Sequence, residues 1–564
     1  MRLMVHCPIL LAAAETGAGT AASKSLNRVV IPMILPRPRS IQQNGQILPL
    51  KALKITGCGT DFAVAYLSQF APVAVLPAEH GANIRLNRTE KFTENGYRLS
   101  VGTAAEIAFS EKEGLRNALA SLIQLITPLG DGYGIAAAEI TDFSPCTYRS
   151  VMIDLARGLP DIGRLKEDLK RLSLTKCNHV HFHLMDSLGI AYHSDVYRGS
   201  GDIRGTKPYT KQTIIEIVQF CHLLGMTVVP EIEFPAHAST LLATHPELKC
   251  DTDVDEPSTW VVCAGQEETY RFYDRLVEEI ASLFPDEYIH IGGDELYFTD
   301  LPERNYRCHW ESCQVCTALM AKEGLRDRWD LYNHAITRLS GIVKRHGRKM
   351  MMWNDQIDLN RPLAVPQDIL MEFWRIADKN RGPAKGCSYE RLTESFRVIN
   401  ADFSRNYVDC EGYAGPENTG SYKYLTYPAA ARTENVLGGE ACAWEYGNPA
   451  FDHYTLSFAC STALLLDKYW NADDAVYTKA YCRALTRLVL GCDTPPLYDM
   501  TELFGGPVPP RINGQTTYLD SSTRPEETLY PQHKVQLSAI RHTYSPLYLR
   551  ALMHSIEKPP QQGL

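Results

Sequence analysis

Three consecutive stretches decide the fold: TVVPEIE (227–233), QEETYRFYDRLVEEIASLF (266–284) and YIHIGGDE (288–295). The first and third are short β-rich apolar runs, and the middle one carries apolar residues at helical spacing. A near-continuous apolar strand, an amphipathic helix and another such strand make a parallel pair covered by a helix. The rhythm extends in both directions. SVMIDL (150–155) and HVHFHLM (179–185) precede, and KMMMWND (349–355), DILMEFW (368–374), RVINADF (397–403) and NVLGGEACAW (435–444) follow. Helical stretches such as IGRLKEDLKRLSLTK, TKQTIIEIVQFCHLLG, LYNHAITRLSGIVKRHG and DHYTLSFACSTALLLD lie between them or after the last. Eight such units predict an α/β chain with a (β/α)8 TIM barrel over residues 148–495, not a doubly wound sheet.

Residues 28–147 read as a separate small α/β domain. VVIPMILPRP, KALKITG and YRLSVG are strand-like, and EKEGLRNALASLIQLI is an amphipathic helix. Residues 496–564, rich in Pro, Gly, Thr and Tyr until YPQHKVQLSAIRHTYSPLYLRALMHSI, are expected to be an extension packed on the barrel. Residues 1–27 read as an irregular arm or a weak signal peptide interrupted by His6, Pro8 and Glu15, which leaves cytoplasmic and exported locations both open.

The 564 residues are 45% hydrophobic and 22% charged, the balance of a globular chain. Lys and Arg total 57 against 66 acidic residues, a formal charge of −9 with no basic run, which argues against a nucleic-acid or anionic-membrane surface. No stretch reaches the roughly 18 apolar residues that a membrane span requires. Of the 16 cysteines, most sit singly on apolar runs, as Cys177, Cys221, Cys442 and Cys460 do. Cys308, Cys313 and Cys316 cluster in CHWESCQVC and, with His309, could hold zinc, but the usual second pair is missing from that stretch. The favoured reading is an insertion loop with reduced or paired thiols.

Functional side-chain types gather at the C-terminal strand ends, where barrel active sites form. They are Asp154, His183 and Asp186, Glu233 and His237, Asp294 and Glu295, Trp353 and Asp355, Trp374, and Trp444 and Glu445. In HIGGDELYF, two glycines permit close approach and a sharp turn before adjacent carboxylates, one able to donate a proton while the other stabilises positive charge. An N-cap role for the same pair is the bland alternative. Trp353, Trp374 and Trp444, with Tyr407 after the seventh strand, suggest an apolar-walled box suited to a sugar face or a small acyl group. His181-Phe-His183 is the competing signal, since metal-dependent amidohydrolases hold zinc through such a pair. The fifth and sixth strands end in Trp353-Asn-Asp and Trp374-Arg without a further histidine, which demotes that reading.

HIGGDE within these strands resembles glycoside hydrolase family 20, the β-N-acetylhexosaminidases. ILPRPRSIQQNGQILPL is similar to the opening of that family's small α/β domain. YRSVMIDLAR, NHVHFHLMD, VVPEIEFPAHA and LGGEACAW are similar to its first, second, third and eighth strands. The resemblance covers most of the chain. It implies a retaining exo-glycosidase that removes terminal β-linked GlcNAc or GalNAc, with the substrate's 2-acetamido group as nucleophile and neither cofactor nor metal. It makes Glu295 the general acid and base, and Asp294 the group that orients the acetamide and stabilises an oxazolinium. Tyr407 would donate to the acetamido oxygen, and Trp353, Trp374 and Trp444 would wall the methyl. Arg149, Glu445 and Asp355 would bind the substrate, with Asp186, His183, His237 and Glu233 as the supporting shell. The partner implied is a glycan or glycoconjugate. Dimers occur in the family, and no residue here bears on a homodimer. The chain departs from the family where Gly158 follows Arg157, at Asp186-Ser187, at Glu233 and Ala236, and at Trp444-Glu445. A metal-dependent amidohydrolase, a disaccharide-releasing relative and a non-catalytic glycan binder are the alternatives.

Overall fold

The computed structural model describes residues 34–199, 201–251, 260–296, 308–361, 365–374, 389–402, 406–408, 433–448 and 454–471. The expected arm at 1–27 and the extension at 496–564 lie outside the described residues. Eight parallel strands close into a barrel: Tyr148–Asp154, His179–His183, Thr227–Phe234, Tyr288–Gly292, Lys349–Trp353, Leu370–Phe373, Val398–Asn400 and Val436–Ala443. The last strand pairs with the first, from Gly438 opposite Tyr148 to Ala443 opposite Ile153, so the barrel has no open edge. Every apolar run of the sequence supplies one of these strands.

The helices expected from the sequence are present as Ile162–Leu174, Lys211–Leu223, Glu267–Leu283, Arg328–Arg345 and Tyr454–Asn471. Three begin at side-chain caps that satisfy otherwise unpaired amides: Asp161, Thr210 and Asp327. Before the barrel lies an eight-stranded mixed sheet, from Ser40–Leu50 at one edge to Ala74–Pro77 at the other, with helix Lys112–Gln124 packed on it. Of the expected strand VVIPMILPRP, residues 29–33 lie outside the described residues; residues 34–39 are irregular, and the first described strand begins at Ser40. Pro36 and Pro38 each remove a backbone donor that a sheet ladder would use.

The barrel interior is partly polar. Apolar clusters of Tyr148, Val229, Met351, Leu370 and Ile399, and of Met152, Trp353, Ala401 and Cys442, share it with buried His181, Glu231, His290, Glu372 and Glu440. His181 places Nδ1 2.8 Å from Glu440 and Nε2 3.3 Å from Glu231. Burial opposes its charge, but these carboxylates outweigh burial and raise its pKa from 6.5 to about 9. Burial, then the negative charge of Glu440 and Glu231, pushes Glu372 well above the usual carboxylate range, and burial lowers His290. The layer therefore carries its charge on His181, Glu231 and Glu440, with Glu372 and His290 neutral.

Because the folded pKa of His181 lies above its unfolded value, its stabilisation is complete below about pH 6.5 and is lost as pH rises through about 9. The stability gap between wild type and His181→Gln, read by thermal melts, should therefore be widest near pH 6 and shrink above about pH 9. A gap that stays constant over this range would mean that the imidazole carries no charge in the folded barrel.

Candidate active site

The fourth strand ends at Gly292, and the chain turns sharply through Gly292 (φ +66°) and Gly293 (φ +92°) before Asp294 and Glu295. A Cβ on Gly292 would lie 2.0 Å from the Glu233 carboxylate of the third strand. Glycine is therefore required both by backbone angle and by contact. The turn is held from behind by the Tyr332 hydroxyl, which donates to the Gly293 carbonyl at 2.6 Å. Glu295 also has positive φ, +56°, and its backbone N–H donates to Asp355 Oδ2 at 3.1 Å. Gln356 donates to the same oxygen at 2.6 Å, so Asp355 anchors the backbone of the carboxylate pair.

His237, at the end of the third strand and at φ +53°, ties the carboxylates together. Its Nε2 lies 3.2 Å from Glu295 and 3.5 Å from Asp294, and its Nδ1 lies 3.3 Å from Asp186. Burial disfavours a charged ring, but Asp294 and then Asp186 overcome it and hold the His237 pKa well above 6.5. His237 is thus an imidazolium serving several anions. Asp186 also accepts from Arg157 at 2.7 Å and lies 3.1 Å from His183 Nε2. Burial would raise Asp186; Arg157 and His237 instead hold it well below the usual carboxylate range. Glu233 is pushed well above that range by burial and then by Asp294, so it sits over Gly292 as a neutral acid. The buried Asp294 Oδ1 has no hydrogen-bond partner among the described residues.

Facing this pair is the aromatic wall. Trp353 is buried, donates Nε1 to Glu231 at 2.7 Å and has its ring centre 6.0 Å from that of Trp444. Trp374 stacks on Tyr407 at 6.2 Å and 12°, and Tyr407 meets Trp444 edge-on at 5.8 Å. Desolvation pushes the Tyr407 phenol well above 10, which keeps it a donor. Beside Trp444, the Glu445 backbone N–H donates to Asp154 at 2.9 Å, and its carboxylate pairs with Arg204 and accepts from Asn448 at 2.8 Å.

One expected site residue is elsewhere. Arg149 is the second residue of its strand, whereas the site lies beyond the strand's end at Asp154. Five residues at about 3.3 Å each separate the two by roughly 16 Å. There Arg149 is fully buried, donating to the carbonyls of Cys146 (2.6 Å) and Lys176 (3.0 Å) and pairing with Glu113 of the small domain. It joins the domain to the N-terminal end of the barrel. The arginine at the mouth is Arg157, bonded to Asp154 at 2.8 Å as well as to Asp186, with its guanidinium 5.0 Å over the Trp444 ring. Strand direction alone distinguishes the two. Trp260 was also missed; its ring packs 4.5 Å from that of His237. His181 and His183 point into carboxylates, His181 toward Glu440 and Glu231 and His183 toward Glu231 and Asp186, with Trp353 packed on His181.

Residues 146–450 match the family described as glycosyl hydrolase family 20, catalytic domain. The chain belongs to that family. It is similar to a β-hexosaminidase of Porphyromonas gingivalis, 26% identical over 412 residues, 68% of this chain and 51% of that protein. It is 28% identical over 455 residues to a β-hexosaminidase of Vibrio furnissii, 74% of this chain and 70% of the relative. The chain thus spans about half the length of the first relative and more of the second. A crystal structure of an exo-β-N-acetylglucosaminidase from Vibrio harveyi in complex with N-acetylglucosamine shares the fold, with a TM-score of 0.68 at 19% identity, over 86% of this chain and 79% of that one.

The double requirement at Gly292 can be tested against Gly324, which has nearly the same φ (+67°) but nothing within reach of a Cβ. Gly324→Ala should cost only about 1 kcal/mol, the ordinary left-handed penalty. Gly292→Ala should cost upwards of about 3 kcal/mol, because the Glu233 carboxylate must also move. Denaturant midpoints of the two variants measure the difference, and equal losses would refute the contact.

Proposed function

We propose that this family 20 enzyme is a retaining exo-β-N-acetylhexosaminidase that uses its substrate's own acetamide as nucleophile. The observation that carries the reading is Asp294 Oδ1, buried without a hydrogen-bond partner among the described residues, with Asp294 and Glu295 near enough to Tyr407 of the aromatic wall for their charges to act on its phenol. A carboxylate oxygen left without a donor there suits an acetamido N–H, and the ring faces of Trp353, Trp374 and Trp444 suit the methyl.

In the first step the acetamido carbonyl oxygen attacks C1 and the bond from C1 to the aglycone oxygen breaks. Glu295 gives its proton to that departing oxygen. The positive charge developing on the acetamide is stabilised by Asp294, held in place by the His237 imidazolium, while the Tyr407 hydroxyl orients the attacking oxygen. In the second step Glu295, now a carboxylate, takes a proton from water as its oxygen bonds to C1, and the acetamido oxygen leaves. Two inversions restore the original anomeric configuration. No second carboxylate nucleophile is needed, which accounts for one acid beside one orienting group. Arg157 and Glu445 would meet the ring hydroxyls, Arg157 replacing Arg149 in that role, and the choice between GlcNAc and GalNAc would lie with them.

Aryl β-GlcNAc and β-GalNAc should be hydrolysed, and the corresponding aryl β-glucoside, which lacks the acetamide, should not. A brief exposure to chelator should leave the rate unchanged. Asp294→Asn should lower kcat about 10²–10⁴-fold. Glu295→Gln should fall as far on natural linkages and less on an activated nitrophenyl leaving group, which needs no proton. Arg157→Lys should lower kcat/KM by roughly 10–100-fold through lost bidentate contacts. Arg149→Lys should lower the melting temperature without changing KM. Turnover of the glucoside at a comparable rate would sink the substrate-assisted mechanism.

A further inference from the structure

Four cysteines far apart in sequence meet in one place. Cys250, Cys263, Cys313 and Cys316 bring their sulfurs within 4.8 Å of one another, three of them buried and Cys250 half-buried. Cys263 Sγ lies 3.5 Å from Cys316 Sγ and 3.8 Å from Cys313 Sγ. Four ligands at about 2.3 Å from a tetrahedral zinc ion stand about 3.8 Å apart, whereas bonded sulfurs stand at about 2.05 Å. The observed spacing suits a shared ion rather than two disulfides. The cluster predicted from CHWESCQVC therefore has a different membership: Cys308 is not among the four, and the missing pair comes from a loop some fifty residues earlier.

The surroundings are built to hold these thiols close. Cys313 is the N-cap of helix Gln314–Glu323, so Cys316 lies in its first turn, where free backbone amides favour thiolates. The Cys313 N–H donates to the His309 carbonyl at 2.7 Å, closing the turn before the helix. On the facing loop, the Cys263 N–H donates to the Leu248 carbonyl at 2.8 Å, and Thr269 Oγ1 donates to the Cys263 carbonyl at 2.7 Å. The two backbones approach so closely that a Cβ on Gly265 would lie 2.6 Å from the Cys316 N and Cα atoms. Trp310 locks the same junction by donating Nε1 to the Val262 carbonyl at 2.8 Å.

We propose that these four cysteines form a structural zinc site that joins the loop after the third barrel strand to the loop after the fourth. Four thiolates fill a tetrahedral ion's coordination and leave no position for water, the pattern of structural rather than catalytic zinc. The joined loops are those that leave His237 and the Asp294–Glu295 pair. Residues 260–262, just before Cys263, are tied to the backbone around His237, where the Ala238 N–H donates to the Trp260 carbonyl at 3.1 Å and the Val262 N–H to the Pro235 carbonyl at 3.0 Å. Binding exchanges the four thiol protons for one divalent cation, so no oxidant or reductant is involved.

Elemental analysis of the full chain, produced with zinc in the medium and purified under mild reduction, should find about one zinc ion per chain. Titration with an organomercurial should release that zinc, seen with a chromophoric indicator, in step with modification of the four thiols. Refolding with cobalt in place of zinc should give the intense visible bands of tetrahedral thiolate coordination. Cys313→Ser/Cys316→Ser should lose the metal and melt several degrees lower, whereas Cys177→Ser, also buried, should keep it. Should the double variant fail to fold, the zinc content and cobalt spectrum of the wild type still decide. Metal-free native protein, recovery of the four cysteines as disulfides after alkylation under non-reducing conditions, or stoichiometric iron instead of zinc would each overturn the proposal.

Discussion

The site depends on one shared cation. His237 stands between Asp186 on one side and Asp294 and Glu295 on the other, all within 3.5 Å of its ring nitrogens. Without it, the adjacent carboxylates of a tight turn would repel each other and the buried Asp186 with nothing to offset them. With it, the turn can present two carboxylates in different environments. The imidazolium in turn needs its own support, supplied by the Trp260 ring and by the backbone bonds at Ala238 and Val262. Of the three mouth residues with left-handed backbone, His237, Glu295 and Glu445, the first two carry this interaction.

Below the mouth, the barrel interior trades apolar packing for paired charge. Glu231 touches His183, His181, His290 and the Trp353 indole, so it joins the second, third, fourth and fifth strands through one carboxylate. Deleting one member of such a group leaves the others buried and unpaired, a larger loss than the group's net contribution. That interdependence holds Trp353 through its indole N–H and orients His183 toward Asp186. Rigidity at the aromatic wall is thus supplied from beneath by polar contacts, and from the side by the stack of Trp374 on Tyr407.

Much of this was legible in the sequence because it is local or periodic. Each barrel strand is an apolar run bounded by breakers, and the two glycines before Asp294 announce a sharp turn. His183, Asp186, Glu233 and His237 stand at strand ends, and strand ends meet in a closed parallel barrel. What could not be read is what depends on direction or on distant pairing. Arg149 and Arg157 flank the same strand; only the one beyond its C-terminal end reaches the mouth, and the other is consumed by Glu113 and backbone carbonyls. The described end of VVIPMILPRP, residues 34–38, is irregular because Pro36 and Pro38 deny a ladder its donors. The four thiols were invisible as a group because spacing within one stretch shows at most half of a site shared between two loops.

That last feature bears on how the mouth stays assembled. Cys263 and Cys313 are separated by a helix, the fourth barrel strand and the Asp294–Glu295 turn, so any link between them closes a long loop around the carboxylate pair. The entropy of closing such a loop grows only slowly with its length, whereas the gain from fixing the loop's ends is felt by every contact inside it. Gly265, with no room for a side chain against Cys316, shows that the two loops are already pressed together at the backbone. A tetrahedral ion at that junction would hold them from the outer side while the His237 cation holds them from the inner side. The same two loops would then be cross-linked twice by positive charge, once through thiolates and once through carboxylates, with Trp260 packed on His237 and Trp310 bonded to the Val262 carbonyl beside Cys263.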